Sequence, residues 1–170
     1  TVRPDITTIV NYSARGLASP TMFHICLLDY LLVYLSQTRC YGLRYTHSAS
    51  SIITEILDPL TQRYGELAAL KDTPYVLFSD ANFGDLYDPR LRSTTGWCCY
   101  VYGCLVSWYS RRRTITAIST LEADLIAAAT CSDEGCWLHQ LAESMPYVFN
   151  FSRDEPPPAI PLLLDNTAAL

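Results

Sequence analysis

The sequence predicts a mixed α/β domain. Three features in chain order carry that prediction: a buried strand leading into a β-hairpin, a long helix, and a short continuous apolar strand after it. No repeat or low-complexity segment interrupts them.

Each element has its own local signal. Ser19-Pro20 reads as a helix start, Ser as N-cap and Pro at the first helical position, and predicts a helix from Thr21 to Ser36. That helix is apolar on almost every side, so it should be buried on more than one face. Ser51 to Tyr64 carries Ile52, Ile53, Ile56, Leu57 and Leu60 near helical spacing, with Pro59 expected to kink or shorten it. Composition shifts over Gly65 to Thr73, the candidate linker. Tyr75 to Phe78 reads as a buried strand ending at Ser79-Asp80. A polar Asp, Gly and Pro loop follows from Asn82 to Arg92. Thr95–Tyr102 and Leu105–Ser110 are β-prone, with Gly103-Cys104 as a two-residue turn between them. Thr120 to Ser144 should be helical, with Leu121, Leu125, Ile126, Ala129, Trp137, Leu138 and Leu141 as its apolar face. Arg153 to Ala159 is a loop. Ile160 to Leu164 is a short strand ending at Asp165-Asn166. A helical crossover joins parallel neighbours, so this last strand should lie parallel to Tyr75–Phe78 and beside it.

Composition excludes several classes. With 49% apolar and 17% charged residues, the 170-residue chain is foldable rather than disordered. The longest apolar run, Met22 to Leu35, is interrupted by His24 and Asp29, which makes it too short and too polar to span a bilayer. No basic lead-in precedes an apolar core, and the seven cysteines form no Cys-x-x-Cys pair. Reduced thiols and an intracellular location are therefore expected. The net charge of −5 speaks against strong autonomous nucleic-acid binding, which phosphate contacts drive. The chain starts at Thr1 and stops abruptly at Leu170, and both ends are expected to be cut from something longer.

Three acidic residues sit where α/β sheets present side chains to a cleft: Asp80 past the first strand, Glu122 in the first turn of the long helix, and Asp165 at the end of the last strand. A few carboxylates suit a hard divalent cation, and two such ions can activate water and steady the leaving oxygen of a phosphodiester. Each residue also has a structural reading. Ser79-Asp80 can be a turn, Ser119-x-x-Glu122 matches a capping box, and Asp165-Asn166 can cap a following helix.

The wider pattern resembles the RNase H region of copia-type LTR retrotransposons over nearly the whole chain. The resemblance rests on Ser79-Asp80-Ala81, on Arg92-Ser93-Thr94-Thr95-Gly96, and on Gly103 to Ser110 followed by Arg111-Arg112-Arg113. It continues through Ala117-Ile118-Ser119-Thr120-Leu121-Glu122-Ala123-Asp124, Trp137-Leu138 and Asp165-Asn166-Thr167-Ala168-Ala169. Upstream, Thr1 to Ile6, Ser19-Pro20-Thr21 with His24, Tyr34-Leu35 and Tyr41 to Tyr45 are similar to the connection between polymerase and RNase H.

The resemblance implies an RNase H-like mixed sheet with a long crossover helix, truncated at its C-terminus and preceded by a mainly helical connection segment. Residues 1–70 would be the reverse transcriptase tether and 71–170 the incomplete RNase H-like domain. Asp80, Glu122 and Asp165 inherit the role of catalytic carboxylates holding two Mg²⁺ ions, for cleavage of RNA in an RNA–DNA hybrid. Arg111, Arg112, Arg113 and Asn166 are the expected nucleic-acid contacts. The partners implied are the hybrid and the reverse transcriptase body of the same polyprotein. The chain departs from the family at Leu121, where Thr is usual, in a helix around Ile25 to Leu32 without Lys or Arg, and in ending before the position of a fourth carboxylate. A decayed or domesticated, non-catalytic module is the alternative. The three carboxylates are expected to converge in one metal-sized cluster, with weak Mg²⁺ binding and negligible cleavage by this fragment. The helix Met22–Leu35 exceeds what the fragment can bury, so self-association through it is expected.

Overall fold

A computed structural model describes residues 2–45, 74–85, 88, 90–149 and 158–165. The expected helix Ser51–Tyr64, the linker Gly65–Thr73, most of the loop after Arg153, and Asn166 lie outside the described residues.

Four strands form one mixed sheet: β1 (Tyr75–Asn82), β2 (Thr94–Val101), β3 (Cys104–Arg112) and β4 (Leu162–Leu164), in the order β3-β2-β1-β4. β1, β2 and β3 are antiparallel neighbours, and β4 lies parallel to β1 beside it, as the crossover argument expects. The architecture is mixed α/β with a long helix across the sheet, and it is compatible with an RNase H-like fold.

The hairpin turn falls one residue earlier than expected. Val101 pairs with Cys104, which leaves Tyr102 and Gly103 as the two-residue loop, both at positive φ (49° and 75°). Two positive φ values match the strand twist in a type I′ turn, and Gly103 takes the second of them at no steric cost. β3 also carries a bulge. Cys99 pairs with Ser107 and Tyr100 with Leu105, so Val106 is the extra residue and faces solvent.

The long helix, Thr120–Ser144, has the expected bounds. Its buried face differs from the one read off the large apolar side chains. Ala123, Ala127, Cys131, Gly135, Leu138 and Ala142 meet the sheet, whereas Leu125 and Trp137 are exposed. Small residues at near four-residue spacing bring the helix axis close to β1. At Gly135 an added Cβ would come within 2.8 Å of Leu77 Cδ1. The core on this side comprises Leu77, Cys99, Cys131 and Leu138, joined by Leu162.

Upstream, a 3₁₀ turn (Pro4–Ile6) runs into α1 (Thr7–Arg15), and α2 spans Met22–Gln37; the long helix is α3. Thr21, rather than Ser19, caps α2. Its hydroxyl lies 2.7 Å from His24 Nδ1, and His24 reaches back to the Thr21 amide, so Pro20 stands outside the helix. Burial of α2 on more than one face is not what the chain achieves: only Leu31 is buried, and Met22, Ile25, Leu28, Leu32 and Val33 are exposed. The reason is that α2 packs chiefly on α1, while α1 takes the place against β3. There Asn11 Nδ2 donates to Ser110 O at 2.9 Å and Arg15 pairs with Asp85 at 2.6 Å. Among the described residues no helix is long and apolar enough to cross a membrane.

Candidate active site

The parallel register of β1 and β4 decides where two of the acids stand. Leu77 pairs with Leu162, Phe78 with Leu163 and Ser79 with Leu164. One step further along both chains come Asp80, still within β1, and Asp165, just past the end of β4. Side chains alternate along a strand. Leu77 and Leu162 face α3, whereas Phe78 and Leu163 pack together on the opposite face. Asp80 and Asp165 therefore share the face away from α3. They line one groove of about 760 Å³ whose apolar floor includes Phe78, Tyr100, Trp108 and Leu163. Asp80 lies inside β1, which continues past the expected end because Ala81 and Asn82 pair with Thr95 and Thr94. Its side chain is exposed, and Oδ1 accepts from the Ala81 amide at 2.7 Å.

Glu122 comes from α3, which runs antiparallel to β1: Gly135 sits against Leu77, and the Cys131 thiol points at the Phe78 carbonyl. The start of α3 thus lies at the Asp80 end of the strand. Ser119 Oγ accepts from the Glu122 amide at 3.1 Å, and Glu122 Oε2 accepts from the Ile118 amide at 2.6 Å. The Ser119 bond is the N-cap half of a capping box, while the Glu122 carboxylate reaches the amide one residue before the N-cap. Among the described residues no three His, Cys, Asp or Glu side chains form a group able to hold a metal ion. Convergence of all three carboxylates is thus not what the chain adopts, because Glu122 is committed to its own helix cap. Asp80 and Asp165, which line the same groove, offer hard oxygen donors of the kind a divalent cation takes.

The three arginines do not present one basic face. Arg111 is exposed, but Arg112 Nη1 pairs with Asp88 at 2.9 Å, and Arg113 is buried beneath α3. The buried Asp88 draws in Arg112, whereas Arg113 turns the other way and bonds Thr95 and Ala123. Arg92 also pairs with Asp88, at 3.0 Å. Burial would raise the Asp88 carboxyl, but the Arg90 amide and the two guanidiniums outweigh it and hold it below the usual range. Sequence reasoning missed this network and the Arg15–Asp85 pair. The only signal was an Asp-rich loop with arginines on the neighbouring strands.

Comparison with known proteins adds three relatives. The chain is 26% identical over 136 residues to Secreted RxLR effector protein 161 of Plasmopara viticola, covering 80% of each. It is 28% identical over 136 residues to an uncharacterized mitochondrial protein of Arabidopsis thaliana, covering 79% of this chain and 47% of that one. It is 28% identical over 143 residues to the Retrovirus-related Pol polyprotein from transposon TNT 1-94 of Nicotiana tabacum, covering 84% of this chain and 9% of the polyprotein. No family model matches the chain. No solved structure matches it. The likeness to the Pol polyprotein supports a retrotransposon origin for the chain.

Proposed function

We propose that this chain is the RNase H-like part of a copia-type retrotransposon polyprotein, whose full-length parent hydrolyses the RNA strand of RNA–DNA hybrids with Mg²⁺. The observation that carries the reading is that Asp80, in β1, and Asp165, just past the end of the parallel neighbour β4, line one groove. Asp80 and Asp165 would hold the cation, and Glu122 would join them on giving up the Ile118 amide. A divalent ion bound there supplies positive charge to a phosphodiester and to its attacking water. The chain's own part is to fix the two carboxylates on a rigid sheet edge and to keep the groove beside them open. Because Glu122 joins only at the expense of its bond to the Ile118 amide, residues 1–170 alone bind Mg²⁺ weakly and do not turn over. Residues 1–70 serve as the tether to the reverse transcriptase body, and the protein works inside the cell.

A second reading is a non-catalytic binding or structural module. The Glu122 cap favours it, as does a relative of matching span named as a secreted effector. A hybrid-cleavage assay on the full-length polyprotein separates the two. Mg²⁺-dependent cleavage abolished by Asp80→Asn supports the nuclease. Hybrid binding without cleavage supports the module.

A further inference from the structure

Arg113 stands just past β3 and is 9% exposed, an unusual place for a guanidinium. Its amide donates to Ser93 O at 2.9 Å, which fixes its backbone beside the start of β2. Its Nε donates to Thr95 Oγ1 at 2.6 Å, and its Nη2 donates to the carbonyl of Ala123. Thr95 pairs with Ala81, the residue after Asp80, and Ala123 is the residue after Glu122. One side chain therefore connects the strand register next to one acid with the backbone next to another. Asp124, buried in the same turn, and Glu122 both act on Arg113 electrostatically and oppose the lowering that burial imposes on it. Its planar fork suits this bridge, since Nε and Nη2 point to different elements at a fixed angle.

We infer that Arg113 is a positioning residue: it holds the first turn of α3 at a fixed place relative to β1, and so sets where the Glu122 carboxylate can reach. The inference rests on the nuclease reading given above. It also assigns the third arginine of the run a role inside the protein instead of on phosphate.

The test uses Mn²⁺ as a paramagnetic probe and records amide line broadening in the 170-residue chain. In the wild type, amides around Asp80, Glu122 and Asp165 should broaden together. In Arg113→Met and Thr95→Val the broadening around Asp80 and Asp165 should persist while that around Glu122 is lost. Thr95→Val keeps the shape of a buried strand residue, so it decides the matter if Arg113→Met does not fold. Retention of the Glu122 effect, or parallel weakening at all three sites, overturns the inference and leaves the nuclease reading standing. Wild-type broadening confined to Asp80 and Asp165 also overturns it. No broadening at any of the three overturns the reading itself, and the inference with it.

Discussion

Asp80 and Asp88 belong to the same acidic stretch, yet the fold spends them differently. Asp88 is fully buried and held by Arg92, Arg112 and the Arg90 amide. Asp80 is exposed on an open groove, and its Oδ1 accepts from the next amide in its own strand. A buried carboxylate survives only with its charge and lone pairs satisfied, so Asp88 is tied to the stability of the loop. An exposed carboxylate on the groove it shares with Asp165 contributes little to stability. The difference separates acids that build the domain from acids free to do chemistry in it.

Removing the buried acid should have the largest effect. Asp88→Ala leaves two arginines around an empty carboxylate position and should cost about 3 kcal/mol. In thermal unfolding that corresponds to a drop of roughly 6–12 °C for a chain of this size. A drop no larger than that of Asp80→Asn would erase the distinction. The same contrast should appear in acid. The Asp88 carboxyl is held below its usual value in the folded state. Its contribution is therefore fully present above the ordinary carboxylate range and is lost as pH falls through the lower, folded-state value. Urea midpoints measured from neutral to acidic pH should fall more steeply for the wild type than for Asp88→Asn.

Gly135→Ala comes next. The new methyl meets Leu77 Cδ1, and the overpacking should outweigh the better helix propensity by about 1 kcal/mol. A stabilised variant in urea unfolding would mean that α3 stands further from the sheet. Asp80→Asn should do least, within about 0.5 kcal/mol either way, because it removes an exposed charge. A large loss of melting temperature in that variant would make Asp80 a structural acid like Asp88.

Elements with strong local chemistry were readable from the sequence. The start of α3 follows from Ser119 as N-cap, and β4 parallel beside β1 follows from the helical crossover that joins them. Features set by tertiary contact were not. The sheet side of α3 carries alanines, a cysteine and a glycine, since closeness to β1 selects small residues over the Leu and Trp that hydrophobicity favours. The turn moved to Tyr102-Gly103 because the ladder register, not the position of the glycine alone, chooses the two loop residues. For the candidate site, Asp165 was readable as an acid just past the last strand, whereas Asp80, read at the end of β1, lies inside it because Ala81 and Asn82 extend the ladder. The Glu122 cap was also readable, from Ser119-x-x-Glu122, but as a competing role. The burial of Arg113 and of Asp88 depends on partners far away in the chain, and local sequence does not reveal it.

The most direct test of the account is a calorimetric Mg²⁺ titration of the 170-residue chain beside Asp80→Asn and Asp165→Asn. Weak binding in the parent chain, abolished by either substitution with the fold intact, is the predicted result. Binding of unchanged strength in either variant would contradict the pairing of Asp80 with Asp165 as the cation-holding centre.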